Sequence, residues 1–529
     1  MTLDEKLVQV VPHRRQVEFQ KLEFYSFVHF TVNTFTDREW GDGTESPSVF
    51  NPEKLDAEQW VRAVKSAGMK GLILTCKHHD GFCLWPSKYT AHTVAYSPYK
   101  NGSGDIVREV SEACRKYGIK FGVYLSPWDR NCPLYGQGKA YDDFFINQLT
   151  ELLTGYGPVF SVWFDGACGE GPNGKKQYYD WERYYAKIRE LQPDACISVC
   201  GPDVRWCGNE AGDTRIAEWS VVPERAKDSE IIAEKSQQSD DEEFRLRRVD
   251  ARDSDLGSRE LLKNEDKLIW YPAEVNTSIR PGWFWHESEN DRVRSLEELI
   301  HIYYHSVGGN ATFLLNIPPT REGLFHENDV KRLEELGWYL EAAFRNNLVE
   351  SAELAAEDQL DTDRYLTSAS ISTSGNIPTL GGIPTSGSIP TSDGHPTTGS
   401  NLTPGDPYRH HDINTVRTDD YDTYFSADHG STTAAITAKW NHPVNIGNIV
   451  IKENILCSQR IESFAVDVLE DGVYKEVYTG TVIGYKRIVP LDHVKTDSIR
   501  IRITDSRTEP TIAFLGIYEA VELCDGELY

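Results

Sequence analysis

At 529 residues the chain is too long for one ordinary domain, and a barrel with insertions takes well over half of such a length, so two domains are expected. Aspartate and glutamate outnumber lysine and arginine 82 to 55, for a formal charge of −27. That balance repels a nucleic-acid backbone or an anionic membrane surface and favours a neutral partner.

The N-terminal residues lack a basic stretch followed by an apolar run, and no later segment approaches the roughly 20 apolar residues of a membrane span. A cytoplasmic location is expected on that ground, or a secreted or periplasmic one if a leader was removed. Eight strand-like runs follow in the first 320 residues, near 23–29, 70–76, 119–125, 159–164, 195–200, 215–220, 268–275 and 312–317. Helical patterns separate several of them. Segment 56–67 places Trp60, Val61 and Val64 on one face and stops at Gly68, and 104–117 and 141–156 behave alike. Strand alternating with helix is the pattern of an α/β fold, a (β/α)8 barrel of the TIM type. Residues 222–264 are highly charged and poorly periodic, and read as an excursion between strands.

A helix over 327–345 closes the first domain, expected to span 1–347. Residues 371–400 repeat Ile-Pro-Thr or His-Pro-Thr at a six-residue period in Gly, Ser, Thr and Pro. This composition reads as a disordered loop or linker, since proline in every repeat opposes a hexapeptide β-helix. Short β-rich runs near 433–440, 446–452, 463–469 and 498–504 then argue for a β-sandwich within 348–529.

Three of the barrel strands run straight into chemistry. The 70–76 run meets Lys77-His78-His79-Asp80, the 119–125 run carries Tyr124 and meets Ser126-Pro127-Trp128, and the 159–164 run ends on Asp165. Parallel strands of α/β enzymes deliver catalytic groups at their C-terminal ends. Glycoside cleavage needs two carboxylates, and Asp165 is the best placed acid, with a helix N-cap as its plainer reading. Its partner is open among Glu210, Glu218 and Glu274. The ten cysteines read as small buried thiols in a reducing compartment rather than a disulfide framework. Cys196, Cys200 and Cys207 have a zinc-like spacing but no matching second pair, and His78-His79 lacks a third ligand. No metal and no cofactor are expected.

His29 ending Phe-Tyr-Ser-Phe-Val-His, Glu39-Trp40-Gly41, Lys77-His78-His79-Asp80-Gly81-Phe82, Tyr124-Leu-Ser-Pro-Trp128 and Trp163-Phe164-Asp165-Gly166 together resemble the α-L-fucosidases of glycoside hydrolase family 29 over roughly 15–345. Segments 33–45 and 276–285 resemble the subgroup that prefers α-1,3- and α-1,4-linked fucose on Lewis-type glycans. The resemblance implies a retaining exo-hydrolase with Asp165 as nucleophile and Glu210, in Trp-x-Gly-Asn-Glu, as acid/base. It implies that His29, Glu39, His78 and His79 hydrogen-bond the fucose hydroxyls beside Tyr124, and that Trp40 and Trp283 pack on its C6 methyl and ring face. The expected partner is then a fucosylated oligosaccharide or glycoconjugate. The C-terminal part resembles a discoidin-type, carbohydrate-binding-like module. The alternatives are a broad or α-1,2-acting fucosidase, and a carbohydrate-binding protein without activity.

Overall fold

The computed structural model describes residues 1–237, 240, 255–357 and 412–521. The repeat at 371–400 lies outside them. Eight parallel strands form the first sheet: β1 (Phe24–Val28), β2 (Gly71–Lys77), β3 (Lys120–Leu125), β4 (Ser161–Phe164), β5 (Cys196–Val199), β6 (Arg205–Trp206), β9 (Ala273–Ser278) and β10 (Ala311–Asn316). They run in the order β5-β4-β3-β2-β1-β10-β9-β6. A lone parallel bridge, Ser198 to Val204, joins the two ends. The expected barrel is therefore present and nearly closed.

Its strands are apolar on both faces because helices cover them outside and side chains fill them inside. All seven residues of β2 are buried. The covering helices start and stop where the sequence directs. Asp56 accepts from Gln59 N at the start of helix Ala57–Ser66, and Asp105 accepts from Arg108 N at the start of Ile106–Tyr117. The latter ends on Gly118 at φ 73°, a left-handed position where a side chain would be strained.

Two strand expectations are corrected. The run 215–220 is not a barrel strand, since the sixth position belongs to the two-residue β6, too short to show any periodicity. The run 268–275 is split at Tyr271-Pro272. Before the proline, β8 (Leu268–Trp270) pairs antiparallel with β7 (Val221–Pro223) in a separate two-stranded sheet, and after it β9 enters the barrel.

The C-terminal region is antiparallel: β11 (Glu353–Glu357), β12 (Phe425–Ser426), β13 (Ala434–Glu453), β14 (Ile461–Glu470), β15 (Val473–Gly480), β16 (Arg487–Ser506) and β17 (Thr511–Glu519). Near Lys439–Val444 the β13–β16 register shifts. Before that point β13 also pairs with β11, and beyond it with β17, so the long strands serve both layers of a sandwich. Trp440, Ile446, Ile449, Phe464, Ile501 and Leu515 are buried in its core. Glu23, just before β1, joins the two parts. It accepts from Lys486 Nζ at 2.9 Å and Tyr485 Oη at 3.0 Å, with Lys452 Nζ at 3.5 Å. Burial would raise its carboxyl, but these cations outweigh it and hold the group well below the carboxylate range.

Candidate active site

The C-terminal ends of the barrel strands open into a cavity with about 580 Å³ of empty space. His29, Glu39, Trp40, His78, His79, Asp165, Glu210 and Trp283 all line it, together with Phe27, Trp163, Trp206, Asn276, Ser236 and Gln237. Eight of the nine residues expected from sequence thus converge on one space. Tyr124, the ninth, is fully buried and reaches the cavity through Asp165.

Asp165 follows β4 directly. Tyr124 Oη donates to its Oδ2 at 2.9 Å and Ala167 N to its Oδ1 at 2.8 Å. Burial pushes its carboxyl up, and these two donors pull it back toward the ionised form. Gly166 is needed beside it, because a Cβ there would collide with Ser236 Oγ.

The three histidines are neutral, with burial the leading cause. His29 is lowered to about 4, His79 to about 3, and His78 lies well below its ordinary value. Their tautomers follow from their neighbours. Asn316 Nδ2 donates to Trp283 O, so its Oδ1 faces His29 Nδ1 at 2.8 Å and that nitrogen carries the proton. Ser126 Oγ donates its one proton to Trp128 O, so it accepts from His79 Nδ1 at 2.7 Å. His79 Nε2 is then a bare acceptor. It lies 3.8 Å from Asp165 Oδ2 and has no hydrogen-bond partner among the described residues. A buried lone pair beside a partly exposed carboxylate calls for a donor between them, and a sugar hydroxyl has that chemistry. The reading that His78-His79 lacks a third ligand is corrected: ligand atoms of His78, His79 and Asp165 lie within 4.8 Å of one another, a neighbour that chain spacing does not reveal.

Three carboxylates line the cavity, and their surroundings differ. Glu39 is engaged: its oxygens accept from Trp283 N at 2.8 Å, Phe284 N at 3.0 Å and His286 Nε2 at 2.8 Å. His286, between Glu39 and Asp37, is raised to about 9 by the Glu39 hydrogen bond and stays charged. Glu39 therefore ties segment 33–45 to segment 276–285. Glu210 is half-buried, and Trp283 Nε1 donates to its Oε2 at 3.1 Å. The other two acids considered as partners of Asp165 do not line the cavity. Glu274 is fully buried beneath it, accepting from Trp163 Nε1 at 2.7 Å and from Tyr25 Oη, with burial raising its carboxyl to about 7. Glu218 is clamped between Arg205 Nη2 at 2.6 Å and Arg215 Nη1 at 3.1 Å.

The residues that escaped sequence reasoning are of two kinds. Trp163, Trp206 and Asn276 sit inside segments already singled out, with Trp206 Nε1 donating to Asn276 Oδ1 at 2.8 Å. Ser236 and Gln237 follow the short helix Ser229–Lys235, inside the charged excursion. No periodicity marks that stretch as part of a site.

The family model described as Alpha-L-fucosidase matches residues 10–343. The chain belongs to the α-L-fucosidase family. It is a glycoside hydrolase of family 29. It is 36% identical over 513 residues to Alpha-L-fucosidase 1 of Arabidopsis thaliana, covering 96% of this chain and 87% of the relative. A structure of a glycoside hydrolase 29 family member from an unknown rumen bacterium superposes with a TM-score of 0.73 at 34% identity, over 98% of this chain and 79% of that one. The Ruminococcus gnavus family 29 fucosidase in complex with fucose superposes with a TM-score of 0.76 at 28% identity, over 97% and 95% of the two chains. Both matches extend through the C-terminal sandwich. Among the described residues no helix is long and apolar enough to cross a membrane, and the nine described cysteines are free thiols.

Proposed function

We propose that the protein is a retaining exo-α-L-fucosidase acting on α-1,3/1,4-linked fucose of Lewis-type or related branched glycans. The observation that carries the reading is the state of the three cavity carboxylates. Glu39 is consumed by backbone amides and a charged histidine, which leaves Asp165 and Glu210 for the two roles that retention requires.

Asp165 attacks the anomeric carbon. Tyr124 Oη and Ala167 N favour its ionised form against burial and aim it. Glu210 donates a proton to the departing glycosidic oxygen, forming a fucosyl-Asp165 ester, and then takes a proton from the water that cleaves the ester. His29 and His79, each with a bare Nε2, accept from sugar hydroxyls, and His78 completes the set. Trp40 and Trp283 offer apolar area to the C6 methyl and ring face. The linkage preference is supported by the tie that Glu39 makes between segments 33–45 and 276–285, the two that resemble the α-1,3/1,4 subgroup. We take 1–347 as the catalytic unit and 348–529 as a discoidin-like companion.

The test is fucose release by the purified protein from Lewis-type trisaccharides compared with 2′-fucosyllactose. Release from the trisaccharides at least about tenfold faster per kcat/KM is expected, a discrimination of about 1.4 kcal/mol. Equal or inverted rates defeat the linkage assignment. No release from either defeats the enzyme reading.

A further inference from the structure

Glu210 sits in a stretch, 207–220, that contains no strand or helix and runs from the end of β6 to β7. Such a stretch has no backbone ladder to hold it, so side chains must fix it. An inner set ties it to the barrel. Asn209 Oδ1 accepts from Ala211 N and Asp213 N, both at 3.1 Å. Arg215 Nη1 donates to Cys207 O at 2.8 Å, bridging the two sides of the loop across Glu210. Arg205 Nη2, on β6, donates to Glu218 Oε2 and to Trp219 O at 2.9 Å.

A second set comes from the C-terminal sandwich. Gln459 Oε1 accepts from Ser220 N at 2.8 Å. Arg487, the first residue of β16, donates from Nη2 to Ile216 O at 3.3 Å while its guanidinium also grips Val482 O at 2.6 and 2.9 Å. Between them Asn310 reads both parts at once: its Nδ2 donates to Glu218 O at 2.6 Å, and its Oδ1 accepts from Tyr485 N at 2.7 Å. Gly484 permits that approach, since a Cβ there would collide with the Asn310 amide. Val482 packs with Trp219, Val222 and Tyr271 in one buried cluster.

We propose that Gln459 and Arg487 are positioning residues for Glu210, so that the sandwich holds the acid/base loop of the barrel in its working geometry. The inference rests on the assignment of Glu210 as acid/base. Neither residue lines the cavity, and both act through backbone atoms of 216–220. A displacement of about 1 Å in a catalytic group costs on the order of a hundredfold in rate, so a loop held from two sides is worth more than its hydrogen bonds.

The experiment compares two substrates in the full-length protein: a Lewis-type trisaccharide, whose leaving group needs protonation, and a dinitrophenyl fucoside, whose leaving group does not. Gln459→Ala and Arg487→Met should each lower kcat on the trisaccharide by about tenfold or more, with the aryl fucoside's defucosylation-independent first step within about threefold. Gln459→Glu keeps an acceptor for Ser220 N and should restore most of the loss. Equal losses on both substrates mean a structural role and overturn the proposal, as do unchanged rates on the trisaccharide in folded variants. Gln459→Ala removes one acceptor, so it keeps the test decisive even if Arg487→Met does not fold. Glu210→Ala is measured in parallel. If it lacks the leaving-group dependence, the acid/base assignment itself falls. If it shows the dependence and the sandwich variants do not, only the anchoring is overturned.

Discussion

The floor and the rim of the cavity are made by different means. The floor is set by strand ends: His29 after β1, His78 and His79 after β2, Tyr124 on β3, Asp165 after β4, Asn276 on β9 and Asn316 on β10. Each of these positions follows from a parallel ladder, whose register fixes its neighbours to within the play of a rotamer. The rim, with Glu39, Trp40, Glu210, Ser236, Gln237 and Trp283, comes from connecting segments held by side-chain hydrogen bonds. Recognition of a compact sugar and covalent attack belong on the rigid part. Proton delivery to a variable leaving group belongs on the part that other groups adjust.

Removal of the floor acid is the most severe break. Asp165→Ala should lower kcat at least about 10⁴-fold on every fucoside, since both half-reactions use the nucleophile. Its melting temperature should change little, because the side chain is 23% exposed and, among the described residues, the only basic side chain within 4 Å of its carboxylate is the neutral His79. Near-native turnover on natural glycans would remove Asp165 from its role.

The rim acid should break selectively. Glu210→Ala is expected to lower turnover of a Lewis trisaccharide by about 10² to 10⁴ and the first step with a dinitrophenyl fucoside far less. Azide should then accelerate the activated substrate and yield the α-fucosyl azide. Uniform loss on both substrates, with no azide effect, would place the acid/base elsewhere.

Glu274 sharpens the contrast, since it is a floor carboxyl without access to substrate. Glu274→Gln keeps an acceptor for Trp163 Nε1–H and offers a donor to Tyr25 Oη, which is also within 2.9 Å of Thr312 Oγ1. It should leave kcat within about threefold. Glu274→Leu orphans both partners and should cost about 2 to 6 kcal/mol of stability, read by denaturant unfolding. A Glu210-like dependence on leaving group in Glu274→Gln would reverse the assignment.

The smallest effect concerns pH. In the proposed mechanism Asp165 works ionised, and the Tyr124 hydroxyl favours that form against the upward push of burial. Tyr124→Phe removes this donor, so the carboxyl rises further and the acid limb of kcat/KM should move to higher pH. The buried histidines do not contribute a limb between pH 5 and 8, as His29 and His79 stay neutral down to about 4 and 3. A downward shift of the limb, or none, would detach Tyr124 from Asp165.

The same division explains what could be read from the residues alone. The floor was legible because an apolar run that ends on a polar group marks a parallel strand and its chemistry together, as at Lys77-His78-His79 and Phe164-Asp165. The barrel strand before Glu210 was not, because Arg205–Trp206 is two residues long and gives no pattern, while the apolar run at 215–220 imitates a strand without pairing as one. Tyr271-Pro272 hid a passage from one sheet to another inside what looked like one strand. Ser236 and Gln237 escaped because the approach of Ser236 to Gly166 and the place of both at the cavity are tertiary features with no local signature. The motif resemblance already favoured Glu210 over Glu218 and Glu274, but spacing along the chain did not, because it does not contain the places of Arg205, Arg215, Trp163 and Tyr25, which engage the other two.

Between β5 and β6 the barrel wall is held by the single bridge from Ser198 to Val204, whereas every other neighbouring pair in the sheet shares at least two paired positions. A wall stitched so lightly at one place has a seam, and chain inserted there interrupts few of the barrel's own ladder bonds. The residues after it, from Cys207 to the return of the chain at β9, form such an inserted length. In the proposed reading the leaving-group side of the cavity is thus carried by a length gripped by the side chains of Arg205 and Asn310 and by the sandwich, while the strand ends that carry Asp165 and the histidines are set by the parallel ladders.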